Sequence, residues 1–186
     1  MVSLRASTLT LLLLLLVPWA GAQGVLIDKS DIRFVSKQMG VNFEGRFRKW
    51  KADVVFLPND LAKSKAEFDI DLASIDLESD DSESESKGPL WFDTAKFPTA
   101  RFSSKSMKAL GGDKFEISGQ LSIKGVTKSA IVPIAVKKDA AGNTVADGTF
   151  IVKRLEYGIG LGLWADTETV ANDVLVRVHM VLPPTK

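Results

Sequence analysis

Apolar and polar residues alternate along most of the chain, in the pattern that predicts β-strands with one buried face. One phase of the first such segment holds Val41, Phe43, Gly45 and Phe47. The same period recurs in Trp50, Ala52, Val54 and Phe56, and again in Ala66, Phe68, Ile70 and Leu72. Glu67 and Asp69 fall on the opposite phase of the third segment, so we expect them to face solvent.

Five further segments alternate in the same way and predict strands over residues 100–107, 114–124, 129–137, 144–155 and 173–182. Gly111-Gly112-Asp113 and Ala141-Gly142-Asn143 have the composition of hairpin turns, and residues 125–128 are also expected to form a turn. Pro133 has no backbone N–H to donate. Its segment is therefore expected at a sheet edge, a bulge or a strand end.

Residues 78–87 interrupt the alternation with a run of Ser, Asp and Glu that Gly88-Pro89 ends. This composition predicts a solvated loop before or around a short helix. The acidic residues of the run lack the spaced ligands and the fixed glycine of a calcium loop. The run therefore does not favour calcium binding by Asp80, Asp81, Glu83 and Glu85.

About eight or nine strands and almost no long helical pattern predict an all-β protein with one short helix. Such strands form either an antiparallel barrel or a two-sheet sandwich, and alternation alone does not choose between them. A barrel of about eight strands has room for one small ligand, whereas a sandwich buries the same residues in a solid core.

The N-terminus has the features of a secretory signal peptide. Arg5 precedes an apolar run over residues 9–17, and small residues follow at Ala20-Gly21-Ala22. The run spans roughly half of the ~20 residues that a membrane-crossing helix needs. We therefore expect cleavage after Ala22, which leaves residues 23–186 as a single domain in the periplasm.

Charge and composition exclude several classes of function. The chain has 24 Lys and Arg against 23 Asp and Glu, and removal of Arg5 with the signal leaves 23 of each sign. This neutrality argues against nucleic acid as a partner. The chain has no cysteine, which excludes disulfides, thiol catalysis and the acylated cysteine of a bacterial lipoprotein.

Several sequence elements resemble the YceI family of exported lipid-binding proteins. The strongest are Trp91-Phe92-Asp93 ahead of Lys96-Phe97-Pro98, the stretch from Gly119 to Lys128, and Lys153-Arg154-Leu155-Glu156-Tyr157-Gly158-Ile159. The last is similar to the family's Arg-x-x-(Phe/Tyr)-Gly-Ile element. The resemblance extends from Val25 to Val176.

The resemblance implies an extended lipocalin-like barrel with a long internal tunnel for a polyisoprenoid chain, such as an isoprenoid quinone or a polyprenyl lipid. It implies no cofactor other than this lipid, and it allows transient contact with a membrane or a membrane quinone-linked protein. Many relatives carry a His-Ser pair before the first strand, whereas residues 28–32 keep only Ser30. A head-group role for that histidine therefore does not transfer to this chain.

We expect the residues on the inward phase of the strands to line the tunnel, with two aromatic residues near its mouth. The predicted strand residues are Phe43, Phe47, Val54, Phe56, Phe68, Ile70, Leu72, Phe115, Ile117, Leu121, Phe150 and Val152. The mouth residues are Trp91 and Phe92. Each can equally be an ordinary core residue, because side chains and cavity share a barrel interior.

Two other classes of function stay open at this point. A small-barrel isomerase or hydrolase would use buried carboxylates, with Glu156 or Asp93 as candidates, but no nucleophile-base pair is recognisable. Two or more carboxylates that meet in one pocket would favour this enzyme. A partner of a membrane quinone-linked cytochrome would instead show an exposed aromatic patch.

Two further motifs do not indicate sites. The glycines of residues 158–162 lack the helix that follows a phosphate-binding loop, so they are expected to permit curvature or close approach. His179, the only histidine, shares the phase of Arg177 and is expected on the surface. We predict no catalytic residue and no metal site.

Overall fold

The structure is a computed structural model that describes residues 24–184, so the predicted signal segment lies outside the described residues. Its strands are β1 (Asp31–Gln38), β2 (Val41–Phe47), β3 (Trp50–Val55), β4 (Lys65–Asp71), β5 (Ile75–Asp76), β6 (Thr99–Gly111), β7 (Lys114–Ile123), β8 (Val126–Lys138), β9 (Thr144–Lys153) and β10 (Asp173–Leu182). The helices are α1 (Asp80–Lys87) and short 3-10 helices at Ile27–Lys29, Leu61–Lys63, Leu72–Ser74, Arg154–Tyr157 and Gly162–Ala165.

All ten strands belong to one antiparallel sheet with the order β3-β4-β6-β7-β8-β9-β10-β1-β2-β5. The chain joins the two ends of this sheet, because β2 runs on into β3 and β4 runs on into β5. Between these junctions, Arg48 N donates to Ser74 O and Asp71 N donates to Lys49 O, each at 3.0 Å. The sheet thus curls into a barrel in which β2 with β3, and β4 with β5, each take the place of one interrupted strand, and this confirms the predicted all-β barrel of about eight strands with one short helix.

Strand β7 shows how alternation builds the barrel wall. Its inward positions are all buried, and they are Phe115, Ile117, Gly119, Leu121 and Ile123. Gly119 is required by close packing, because a Cβ there would lie 2.6 Å from both the Phe102 ring and the Ser103 carbonyl oxygen. The ring of Phe102 occupies the space that a side chain at this position would need.

The predicted hairpin turns are confirmed, with one change in boundaries. Gly112 and Gly142 have positive φ angles of 57° and 81° between β6 and β7 and between β8 and β9. The turn predicted over residues 125–128 is instead the pair Lys124 and Gly125, with φ angles of 48° and 77°. Two successive residues with positive φ make a tight two-residue turn, so β8 can begin directly at Val126.

Strand β1 was not assigned from the alternation, although it has the same pattern. Ile32 and Ser36 are buried, whereas Arg33 and Lys37 are exposed. Pro133 lies in β8 at the point where pairing with β9 stops, because that ladder begins at Ile134. Pro133 is therefore inside an interior strand and not at the predicted sheet edge, bulge or strand end, but the ladder to β9 has not yet begun there, so the missing N–H removes no bond to β9.

Asp76 links the strands where the barrel closes. Its carboxylate is 5% exposed and accepts hydrogen bonds from Arg46 Nε at 2.7 Å and from Arg48 Nε at 2.9 Å. The bonds from Arg48 and then Arg46 lower the pKa of Asp76 from 3.8 to about 2. Both arginine side chains are more than half exposed, so we expect added salt to weaken the interaction.

We expect Asp76→Asn to lower the thermal unfolding midpoint, because Arg46 and Arg48 then lose the negatively charged carboxylate with which both of them pair. The folded-state pKa lies below the usual value, so the carboxylate stabilises the fold above a pH of about 3.8, and this stabilisation is lost as the pH falls toward about 2. Melting curves of both proteins should therefore converge over that window. A gap that stays constant down to the lowest pH would contradict this role of the charge.

Candidate ligand-binding site

A cavity of about 590 Å³ lies inside one end of the barrel. Four residues of α1 and four from the segment 154–171 line it together with inward-facing strand residues. We call this end, which α1 and residues 154–171 cover, the helix end. Most of the lining side chains are apolar, and the volume is within the ~300–1,000 Å³ of typical ligand pockets.

Nine of the fourteen residues predicted from the sequence to line the tunnel border this cavity: Phe43, Phe47, Ile70, Leu72, Trp91, Phe92, Leu121, Phe150 and Val152. They come from the four strands β2, β4, β7 and β9, from the 3-10 helix that follows β4 and from the segment after α1. Their contact with a ligand stays a prediction.

The other five predicted residues, Val54, Phe56, Phe68, Phe115 and Ile117, do not border this cavity. They lie toward the opposite end of the barrel, where side chains fill the interior. Phe56 and Phe115 meet edge to face with ring centroids 5.2 Å apart, and Phe68 packs against Phe102 at 6.4 Å. The cavity thus occupies the helix end, whereas aromatic side chains pack against one another toward the other end of the barrel.

The sequence prediction missed part of the wall. Ile32, Phe34 and Ser36 of β1 and Val174 and Val176 of β10 also line the cavity. The signal for these residues is the same alternation, which is present in both β1 and β10.

Helix α1 forms where a loop before or around a helix was predicted. Ser79 caps it, because its Oγ accepts a hydrogen bond from Ser82 N at 3.4 Å, and acidic residues occupy the first turn, where they favour the helix. Glu85 accepts a hydrogen bond from Trp164 Nε1 at 3.0 Å, and Glu83 accepts one from Leu77 N at 3.3 Å. These carboxylates thus connect α1 to its surroundings.

Arg154, the arginine of the Arg-x-x-Tyr-Gly-Ile element, organises the cover of the cavity. Its side chain is 2% exposed, and each of its five N–H donors has a backbone carbonyl acceptor. The acceptors are Ala171 O (3.0 Å), Ile159 O (2.9 Å), Gly160 O (2.8 Å), Trp164 O (2.6 Å) and Val170 O (2.7 Å). Burial lowers the pKa of this guanidinium.

The glycines of residues 158–162 allow the backbone to pass close to the Arg154 side chain. Gly158, Gly160 and Gly162 all have positive φ, and a Cβ on Gly160 would collide with Arg154 Nη1. The glycines therefore let the backbone turn closely around the guanidinium, which agrees with the expected close approach. The neighbouring turn is held by Lys124, whose Nζ donates to Pro89 O at 2.9 Å and to Gly158 O at 2.7 Å.

The segment that starts at Trp91 lies directly beside this cover. Its indole ring is 5.7 Å from Arg154 Cζ and 5.7 Å from the Trp164 ring. Phe92 packs edge to face on Phe47, with ring centroids 6.2 Å apart. Both residues line the cavity at the helix end.

The carboxylates considered for catalysis do not line the cavity. Glu156 pairs with Lys128 at 3.1 Å, and Asp93 pairs with Lys96 at 3.4 Å. The acidic residues that do line it, Asp81 and Glu85, lie on exposed positions of α1. Within residues 24–184 there is no group of three or more potential metal-binding side chains.

A family model for the YceI-like domain matches residues 25–182. The chain belongs to the YceI family. This confirms the resemblance seen in the sequence, and the matched YceI region covers every strand of the barrel.

Known proteins and structures agree with this family. A UPF0312 protein of Shewanella denitrificans is 31% identical over 88% of this YceI chain and 91% of its own length. The crystal structure of Burkholderia cenocepacia BcnA is 38% identical with a TM-score of 0.81, covering 84% of this chain and 98% of that one.

A more distant likeness concerns a polyisoprenoid binding domain from Saccharophagus degradans, implicated in plant cell wall breakdown. It is 18% identical with a TM-score of 0.71 and covers 88% of this chain and 99% of that one. At this identity the likeness shows a shared fold.

Proposed function

We propose that this protein is exported to the periplasm and there binds a polyisoprenoid lipid, an isoprenoid quinone or a polyprenyl chain, which it carries or sequesters. The observation that carries this proposal is the apolar cavity at the helix end. The shared fold with a polyisoprenoid binding domain supports it.

The size of the cavity limits how much of the lipid is enclosed. With a methylene-sized group taken as roughly the ~30 Å³ that a water occupies in the liquid, 590 Å³ holds about twenty such groups. A polyisoprenoid of about forty carbons thus has roughly half of its chain inside, and the remainder extends through the mouth.

The free energy of lipid transfer into the cavity supports a carrier function. Burial of each methylene is worth roughly 0.8 kcal/mol against water, so about twenty groups give on the order of 16 kcal/mol before ordering costs are subtracted. A lipid drawn from a bilayer is already out of water, so its transfer between bilayer and cavity is nearly balanced. Such a protein exchanges its ligand and does not retain it permanently.

Exposed aliphatic residues at the helix end support exchange at a bilayer surface. Leu163 is 90% exposed, and Leu90 and Leu161 lie next to each other through a 2.9 Å hydrogen bond from Leu161 N to Leu90 O. Met39 and Val41 are exposed on the β1–β2 hairpin, which the cover segment contacts. The exposed large hydrophobic residues in the described part of the chain include no aromatic one, so they favour lipid over a protein partner.

Catalysis has less support than binding. Glu156 and Asp93 are ion-paired outside the cavity, and Glu85 is hydrogen-bonded to Trp164.

Among residues 24–184, none of the helices has the length and the apolar composition that a membrane span requires.

The proposal is tested by purifying the protein without detergent from periplasmic extract and identifying solvent-extracted lipids by mass spectrometry. We expect a mature N-terminus at Gln23 and a near-stoichiometric polyisoprenoid. Delipidated protein incubated with vesicles that contain the same lipid should recover it at a rate that rises with vesicle concentration.

Failure to recover any stoichiometric lipid, together with failure to bind added quinone or polyprenol, would overturn the function. A transfer rate independent of vesicle concentration would overturn only the exchange at the bilayer surface, because the lipid would then pass through water. Retention of the protein in the cytoplasm would overturn the export.

A further inference from the structure

Two buried polar atoms of the cavity wall have no partner. Ser36 is 5% exposed and lines the cavity from β1, and Trp91 lines it from the segment after α1. Within residues 24–184, neither Ser36 Oγ nor Trp91 Nε1 forms a hydrogen bond, although both atoms are buried. Buried polar groups without a partner are uncommon, and in a ligand cavity they indicate a group on the ligand.

The fold brings both residues to the helix end. Ser36 lies two residues before Gln38, which bridges to Val170, and Val170 O accepts a hydrogen bond from Arg154 at 2.7 Å. The Trp91 ring is 5.7 Å from Arg154 Cζ. Ser36 and Trp91 therefore both lie at the end of the barrel that the Arg154-held segment covers.

The chemistry of these atoms selects the ligand group. An indole N–H only donates a hydrogen bond, and a serine hydroxyl donates or accepts, so both can serve an acceptor oxygen. An anionic group is disfavoured, because Arg154 already uses all five donors, Arg33 of the wall is paired with Asp31 at 3.2 Å, and Asp81 and Glu85 line the same cavity. An uncharged oxygen fits this environment better than a phosphate.

We propose that Ser36 and Trp91 form a polar subsite that binds an uncharged, carbonyl-type oxygen at one end of an otherwise apolar ligand. This inference rests on the proposed lipid-binding function, and it adds the orientation of the ligand. The oxygen-bearing end lies beside Ser36 and Trp91 at the helix end, and the apolar tail lies along the apolar wall of the cavity.

The test compares three ligands with the same alkyl chain: a long-chain methyl ketone, the alkane and the alkyl phosphate. Affinities are measured by displacement of a fluorescent apolar dye from delipidated wild-type, Ser36→Ala and Trp91→Phe proteins. We expect each substitution to weaken ketone binding about threefold to tenfold more than it weakens alkane binding, as for one lost hydrogen bond. Trp50→Phe, outside the cavity wall, is the matched control and should change neither.

A structural role would give a different pattern. If Ser36 and Trp91 only shape the wall, their variants lose ketone and alkane affinity equally, and the inference is overturned. Ser36→Ala should also leave the melting temperature of ligand-free protein unchanged or raised, because its hydroxyl has no partner to lose. A clear fall in that temperature would overturn its assignment as a ligand-binding group.

The ligand series also separates this inference from the proposed function. Wild-type protein that binds the alkane as tightly as the ketone contradicts the subsite and leaves lipid binding intact. Tightest binding of the phosphate contradicts the uncharged head group. Failure to bind any of the three, or any polyisoprenoid, contradicts the proposed function itself.

Discussion

Replacement of Arg154 with Met is expected to lower the free energy of unfolding by on the order of 4 kcal/mol and to detach the cover of the cavity. Methionine keeps much of the side-chain length but has no donor, so five backbone carbonyls lose their shared partner. Those carbonyls belong to residues 159–171, so one side chain connects positions along the whole cover segment. We expect lipid affinity to fall along with stability.

Denaturant unfolding of the Arg154→Met protein measures the first effect, and limited proteolysis with mass spectrometry locates the second. Cleavage should appear within residues 158–171 before the strands are cut. Arg101→Met is the matched control, because Arg101 is more than half exposed and pairs with Asp69 on the outer surface. We expect this control to change stability by less than ~1 kcal/mol.

Arg154→Lys tests whether positive charge alone suffices. Lysine keeps the charge but has three donors on one nitrogen, so it cannot reach carbonyls on several sides of a planar guanidinium. We therefore expect Arg154→Lys to remain strongly destabilised. A near-wild-type Arg154→Lys protein would show that the spread of donors over Nε, Nη1 and Nη2 contributes little.

The role of Arg154 shows where sequence reasoning stops. The resemblance to the YceI family marked the Arg-x-x-Tyr-Gly-Ile element, but the partners of the arginine are backbone oxygens. Every residue type has such an oxygen, so no side-chain pattern identifies the acceptors. Only the path of residues 158–171 around the guanidinium, which Gly160 permits, defines the site.

The strands could be predicted because their cause is local, whereas the choice of a barrel over a sandwich came from the resemblance to the YceI family. Inward and outward positions alternate along each strand. The amino-acid sequence shows this alternation in segments such as Ala66 to Leu72 and Asp173 to Leu182. The short helix also has a local cause, since Ser79 caps a turn of acidic residues.

The division of the barrel into a cavity and a solid core could not be predicted in the same way. Alternation distinguishes inside from outside and says nothing about position along the barrel axis. That position depends on register, which pairs Val54 with Ala66 toward the filled end and Ile70 with Ala100 toward the helix end. Two residues with the same inward phase therefore have different surroundings.

Two buried alanines test this division, because the same substitution should have opposite effects at each. Both are 3% exposed and belong to the same buried apolar cluster, but only Ala100, on β6, lines the cavity, whereas Ala66 lies on β4 away from it. We expect Ala100→Phe to weaken lipid binding at least about tenfold with little loss of stability, because the ring occupies space meant for ligand. Ala66→Phe should cost about 1–3 kcal/mol of stability, because no space is available for the ring.

Lipid affinity and denaturant unfolding are measured on the same preparations of both variants. Together they test whether the ligand space is confined to the helix end. Affinity of folded Ala66→Phe protein should remain close to wild type, because the filled end contributes no cavity wall. If both variants lose stability equally, the helix end is as densely packed as the rest of the barrel, and the cavity has no space for a ligand. If both lose lipid affinity equally, the ligand reaches the filled end, and residues such as Phe56 and Phe115 must separate to admit it.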